Sequence, residues 1–221
     1  MRLIDLSQPL FHGCPNCPAH PAVKIEVIGS HAQAGAEGWH LEHLSFTSHT
    51  GSHVDAPLHK IEKGRSLDDI PLERWTGSAY IADLRGIAAN TAMTVEMLAR
   101  RLPEAGHLFD CWVLLATGFG DKRAATREWL HEGPVLSHEA AQWLVDQRVS
   151  GVGIDHWSIG DAVTHATLLG AASPGEPVLI VEELHFPEDV FSLPQPLSFA
   201  ALPLNLRGHS GGPCRPVIML A

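Results

Sequence analysis

Residues 48–60 read S-H-T-G-S-H-V-D-A-P-L-H-K, and they restrict the local fold more tightly than any other stretch of the chain. His49, His53, Asp55 and His59 stand at the spacing H-x3-H-x-D-x3-H. Neutral imidazoles and a carboxylate are good ligands for a divalent ion of the zinc, manganese or iron type. Four residues apart, His49 and His53 could share one face of a helix. Thr50, Gly51 and Ser52 are poor helix formers, however, and Pro57 would break a helix running past it. In extended chain His53 and Asp55 point the same way, and a bend at Gly51 brings His49 back toward them. The expectation is a bent strand and loop rather than the helical H-E-x-x-H of a zinc protease. Fifteen histidines raise the chance of a coincidental cluster, but the remainder are scattered, and a turn needs no histidine for its geometry.

A length of 221 residues with 45% hydrophobic composition suits one domain over residues 1–221. The formal charge of −10 argues against nucleic acid or an anionic membrane surface as a partner, since both favour a basic patch. No stretch approaches the roughly 18 uninterrupted apolar residues of a membrane span. The opening M-R-L-I-D lacks the apolar run of a signal peptide, so a cytoplasmic location is expected. Cys14 and Cys17 form a C-x-x-C that would suit a redox pair or half of a zinc knuckle. No second pair completes a knuckle, and Pro15, Pro18 and Pro21 oppose the helix that a thioredoxin-like motif should open, so free thiols are expected.

Short apolar runs predict strands over 3–6, 23–28, 41–48, 79–84, 112–116, 151–154, 178–181, 199–206 and 217–220. Helices are expected over 94–101, capped by Thr94, over 138–147, capped by Ser137, and over 161–169 with His165 near the middle. The glycines and alanines of 29–38 predict a loop, and Trp39 after it is a candidate aromatic wall. The fold class expected is α/β, one domain of mixed strands with few helices.

The pattern H-x-G-[ST]-H-x-D-x-P-x-H, here carried by His49, Gly51, Ser52, His53, Asp55, Pro57 and His59, resembles the signature of the cyclase-type metal-dependent hydrolases, a family that includes bacterial kynurenine formamidases (arylformamidases) and isatin hydrolases. Further segments resemble the family in its own order: L-I-D-L-S-Q-P-L at 3–10, G-I-D with Ser158 and Asp161, H-A-T-L-L from His165, I-V-E-E-L at 180–184, A-L-P-L at 201–204 and G-P-C-R at 212–215. The resemblance implies the swivelling β/β/α fold and a homodimer or homotetramer. It implies a first metal on His49, His53 and Asp55, and a second shared by Asp55, His165 and Glu182. His59 would be the proton-transfer residue. The cofactor would be a divalent metal, zinc first and manganese second, one or two per chain.

The implied chemistry is hydrolysis of a carbon–nitrogen bond in a small amide by metal-activated water. The sequence contains no G-x-S-x-G elbow, Walker loop or G-x-G-x-x-G that would offer another mechanism. Glu182 and Glu183 alternate along a strand, so one of them reaches the metal, and the family pattern favours Glu182. Asp155 is expected to orient a turn or a histidine rather than bind metal. The chain departs from the family in two places: extra residues around 172–176, and C-P-N-C-P at 14–18, where kynurenine formamidases carry a W-P-G-D loop. A cyclic amide, imide or other small amide therefore fits as well as N-formylkynurenine. Two competing readings are a non-haem iron oxygenase using a His/His/Asp triad, and a metal-binding relative without catalysis. The first leaves His59, His165 and Glu182 without a role.

Overall fold

The apolar runs at 112–116, 151–154 and 179–182 are buried along their whole length and become neighbouring parallel strands, as continuous Val/Ile/Leu segments do when helices and loops cover both faces of a sheet. The computed structural model describes residues 2–34, 38–104, 106–170 and 176–220. In chain order the elements are β1 (Arg2–Asp5), β2 (Lys24–Gly29), α1 (His31–Ala34), β3 (Leu41–Ser45), β4 (His53–Asp55), β5 (Thr76–Asp83), β6 (Ala92–Met93), α2 (Val95–Ala99), β7 (Trp112–Ala116), α3 (Arg127–His131), β8 (Val135–Leu136), α4 (His138–Asp146), β9 (Gly151–Ile154), α5 (Ala162–Leu169), β10 (Leu179–Glu182), β11 (Leu197–Ala200), β12 (Gly211–Pro213) and β13 (Val217–Leu220).

Among the described residues one nine-stranded sheet runs β1-β13-β11-β5-β7-β9-β10-β4-β12. Its centre, β5-β7-β9-β10, is parallel, and every strand outside that centre pairs antiparallel. This is the mixed α/β class with few helices that the sequence predicts. The hairpin β2–β3 and the short parallel pair β6–β8 stand apart from the main sheet.

Strand alternation divides the core. One face carries Val54, Trp112, Leu114, Leu179, Val181 and Phe199. The other carries Val113, Leu115, Val152, Ile154 and Ile180 beneath Leu98 of α2, Leu144 of α4 and Leu168 of α5. Gly151 sits opposite Trp112, and a Cβ there would lie 2.3 Å from the indole, so the bare backbone makes room for the largest core side chain.

The strand expected over 199–206 begins earlier and stops at Ala200. Pro203 has no N–H to continue a ladder, and the segment keeps only an isolated bridge from Pro203 to Cys214. The strand expected over 41–48 stops at Ser45, before the bends that lead to His53. The loop expected over 29–38 contains the single turn α1, and its residues 35–37 lie outside the described residues, as do 171–175 of the extra segment. All four thiols, Cys14 and Cys17 included, are free. Among the described residues no helix is long and apolar enough to cross a membrane.

Candidate metal centre

β4 is buried throughout and lies between β10 and β12. Val54 turns to one core face, so His53 and Asp55 turn together to the face covered by the helices. In the register of β4 on β10, Glu182 stands directly opposite His53, which sets an imidazole and a carboxylate side by side. α5 closes over this face. Asp161 caps it, accepting from the N–H groups of Val163 and Thr164 at 2.9 Å each, and His165 one turn later is buried against the strands.

The approach to β4 explains His49 and His59. Gly51 has φ of 64°, in the left-handed region, and a Cβ there would lie 2.6 Å from Leu10, so glycine permits the bend expected from the sequence. After Asp55, Pro57 opens a 3-10 turn ending at His59. The rings of His49 and His59 stack with centroids 3.9 Å apart.

Asp55 is the centre of the cluster. Its Oδ1 lies 2.7 Å from His49 Nδ1 and 3.4 Å from His53 Nε2; its Oδ2 lies 3.7 Å from His165 Nε2. Glu182 Oε2 is 3.4 Å from His53 Nε2, and Glu182 Oε1 is 3.3 Å from His165 Nε2. Ligand atoms of His49, Asp55 and His59 all lie within 4.8 Å of one another, as do those of His53, Asp55 and Glu182. All six residues named from the sequence therefore meet in one place.

The histidines are oriented from outside. His53 Nδ1 donates to the Gly51 carbonyl at 2.7 Å and His165 Nδ1 to the Asp161 carbonyl at 2.8 Å, which turns each Nε2 inward. Glu182 Oε1 accepts from the Ile159 N–H at 2.7 Å. Without bound ions, burial disfavours charge on His53, yet Glu182 and Asp55 outweigh it and raise its pKa to about 9. His165 follows the same balance, again to about 9. Burial and the charge of Glu182 act to raise Asp55, but the histidines win and hold it below the usual carboxylate range. Glu182 is lowered too, against its burial, by His165 and His53. Burial pushes His59 below the ordinary histidine value, with His49 and His165 adding to the shift and Asp55 opposing it.

The residues fit a metal. Asp55 Oδ2 is buried with no hydrogen-bond partner, a state that costs a carboxylate several kcal/mol in the absence of a cation, roughly. The donor set of imidazoles and carboxylates suits zinc, manganese or iron. Glu183 takes no part: it has φ of 54°, and its carboxylate pairs with Arg123 Nε at 2.9 Å. Asp155 accepts from Thr117 and Gly118 and holds the turn after β7, as expected of a residue outside the ligand set.

Two neighbours, Ser210 and Arg123, have no signal in the sequence, and a third, His20, is expected near the pocket mouth without a role. Ser210 Oγ lies 2.9 Å from His49 Nε2. Arg123, besides Glu183, donates to the carbonyls of Pro9 and Pro15 and so ties down the segment before Cys17. His20 bonds Thr47 Oγ1 at 3.2 Å, and burial together with His49 and His53 lowers its pKa, so the 14–20 segment borders the centre. The Asp161 cap was the one outer partner with a readable signal, an aspartate ahead of an apolar helix.

Comparison with known proteins agrees with this geometry. A kynurenine formamidase of Bacillus cereus is 26% identical over 218 residues, covering 97% of this chain and 96% of the relative. An isatin hydrolase A of Ralstonia solanacearum superposes with a TM-score of 0.82 at 24% identity, covering 100% of this chain and 92% of the other, which establishes the shared fold. A potential metal-dependent hydrolase with cyclase activity superposes with a TM-score of 0.77 at 27% identity, covering 98% and 96%. The family model described as Cyclase matches residues 4–161, most of the chain, and the protein therefore belongs to the cyclase family.

Proposed function

We propose that this chain is a metal-dependent hydrolase of a carbon–nitrogen bond in a small amide, working as one domain with a divalent metal cofactor, zinc as the favoured ion and manganese as the alternative. The observation that carries the reading is Asp55, wholly buried between two sets of histidines with Oδ2 unpartnered. Its two oxygens divide the neighbours: Oδ1 faces His49 and His53, and Oδ2 faces His165, which Glu182 also meets. That division supports a first ion on His49, His53 and Asp55 and a second on Asp55, His165 and Glu182. When bound, such ions lower the pKa of water toward about 7 and polarise a carbonyl oxygen.

The remaining chemistry belongs to the chain. Gly51 and Asp161 carbonyls fix two imidazoles, and the Ile159 N–H fixes Glu182, so the donors are oriented before substrate arrives. His59 sits at the solvent edge of the cluster on a short turn and is the residue we assign to proton transfer toward the leaving nitrogen. The substrate class is a formamide, lactam or cyclic imide. Kinship with a kynurenine formamidase supports the first, whereas C-P-N-C-P at 14–18 keeps the cyclic amides in play. The β2–β3 hairpin, with Val27, Ile28, Leu41 and Leu44 more than half exposed, supports a homo-oligomer. Four free thiols agree with a cytoplasmic enzyme.

The test is metal content by elemental analysis on unchelated wild type, Asp55→Ala and Glu182→Ala, followed by an amide, lactam and imide panel before and after chelation. About two ions per chain, reduced in both variants, with hydrolysis that chelation abolishes and zinc restores, is the expected result. Wild type without metal after reconstitution would overturn the reading.

A further inference from the structure

We propose that Ser210 is a positioning residue that presents His49 to the metal centre through Nδ1, opposite in sense to its neighbours. His53 and His165 give Nδ1 to main-chain carbonyls and turn Nε2 inward. His49 is reversed: Nδ1 lies 2.7 Å from Asp55 Oδ1, and Nε2 lies 2.9 Å from Ser210 Oγ. A neutral imidazole carries one proton. With the Nδ1 lone pair engaged at the centre, the proton resides on Nε2 and needs an acceptor, which the Ser210 hydroxyl provides. A second feature fixes the same ring. A Cβ on Gly211 would lie 2.5 Å from His49 Cε1 and 2.4 Å from the Val54 carbonyl, so β12 lays bare backbone against the imidazole. The Ser210 carbonyl accepts from the Ala56 N–H at 2.8 Å, which anchors this corner independently of the hydroxyl. Removing the hydroxyl alone therefore leaves the corner in place.

The inference rests on His49 being a ligand, as proposed above, and the experiment separates the two. Full-length wild type, Ser210→Ala and Ser210→Thr are stripped and titrated with zinc against a chromophoric chelator. The tightest-binding site is expected to weaken about 10–100-fold in Ser210→Ala and to recover to within a few-fold of wild type in Ser210→Thr. In zinc-loaded, 15N-histidine-labelled wild type, His49 is expected to be metal-bound at Nδ1 and protonated at Nε2. That measurement needs no variant, so it stands even if Ser210→Ala misfolds. Metal on His49 Nε2, or unchanged zinc affinity in Ser210→Ala, would overturn the inference. Wild type that takes up no zinc would defeat the metal reading instead. Asp55, His49 and Ser210 are also linked in the order of a serine-hydrolase triad. Fluorophosphonate labelling of Ser210 in the stripped protein would make the hydroxyl a nucleophile and overturn its positioning role.

Discussion

Glu182 and Glu183 are adjacent in sequence and buried together, yet their carboxylates serve different partners: Glu182 Oε1 lies 3.3 Å from His165 Nε2, and Glu183 Oε2 lies 2.9 Å from Arg123 Nε. β10 ends at Glu182, and the left-handed turn at Glu183 swings the second carboxylate away from the centre. The pair therefore separates the proposed ligand from a buried ion pair within one dipeptide. Glu182→Ala is expected to lower metal content. Glu183→Ala is expected to leave it unchanged but to cost about 3–5 kcal/mol of stability, because the Arg123 side chain, 5% exposed, loses its counter-charge. Elemental analysis and urea unfolding of both variants check this; loss of metal in Glu183→Ala would contradict it.

The stripped protein should respond to pH in a way the loaded protein does not. His53 and His165 are raised to about 9 when no ion is bound, so their contribution is fully present below the unfolded histidine value of about 6.5. It is lost as pH rises through about 9. Asp55 and Glu182 are lowered, so their contribution is present above about pH 4 and lost on further acidification. The Tm of chelated protein is expected to be highest near pH 5–6 and to fall toward pH 9. Zinc, by taking the place of the histidine protons, should flatten the alkaline side. A chelated Tm that is constant from pH 6 to 9 would count against the buried ion-pair network.

How far the centre was legible follows from which residues have local signals. The bend at Gly51 and the helix break at Pro57 are written in residue types with few backbone options, and the apolar helix around His165 is legible from its pattern, though Asp161 proves to cap that helix rather than to begin it. Glu182 is preferred to Glu183 by the family pattern, because strand alternation alone does not say which of the two faces the cluster; the register of β4 on β10 sets Glu182 opposite His53. β12 was invisible, because Gly211, Gly212 and Pro213 have little strand preference and pair only because β4 offers an edge. Ser210 was missed for the same reason. The ion pair of Arg123 with Glu183 spans 60 positions, and no pattern in a single sequence reports it.

Asp155 offers a control for the ligand set, since an aspartate before a histidine resembles a metal motif. Its oxygens accept from Thr117 N–H at 3.0 Å, Gly118 N–H at 2.8 Å and Thr117 Oγ1 at 2.5 Å. Asp155→Ala strands two backbone donors, each worth about 1–3 kcal/mol when unpaired and buried. A Tm lower by about 4 °C or more, with unchanged metal content, is expected. Metal loss at unchanged Tm would enrol Asp155 as a ligand.

His59 tests the division between holding metal and moving protons. Its ring stacks on His49 at 3.9 Å, close enough to the centre for its nitrogen to reach Asp55, yet it stands on the exposed side of the cluster while His53 and His165 are buried. A residue with that placement can exchange protons with solvent, which a buried ligand cannot. Removal of a positioned proton donor costs about 10²–10⁴-fold in rate. His59→Asn is therefore expected to lower kcat on the best amide by that factor while KM changes little and both ions remain. The measurement is steady-state kinetics beside elemental analysis of the same sample. If His59→Asn instead sheds one ion, His59 is a ligand, and proton transfer must fall to another group bordering the centre, for which His20, bonded to Thr47, is a candidate.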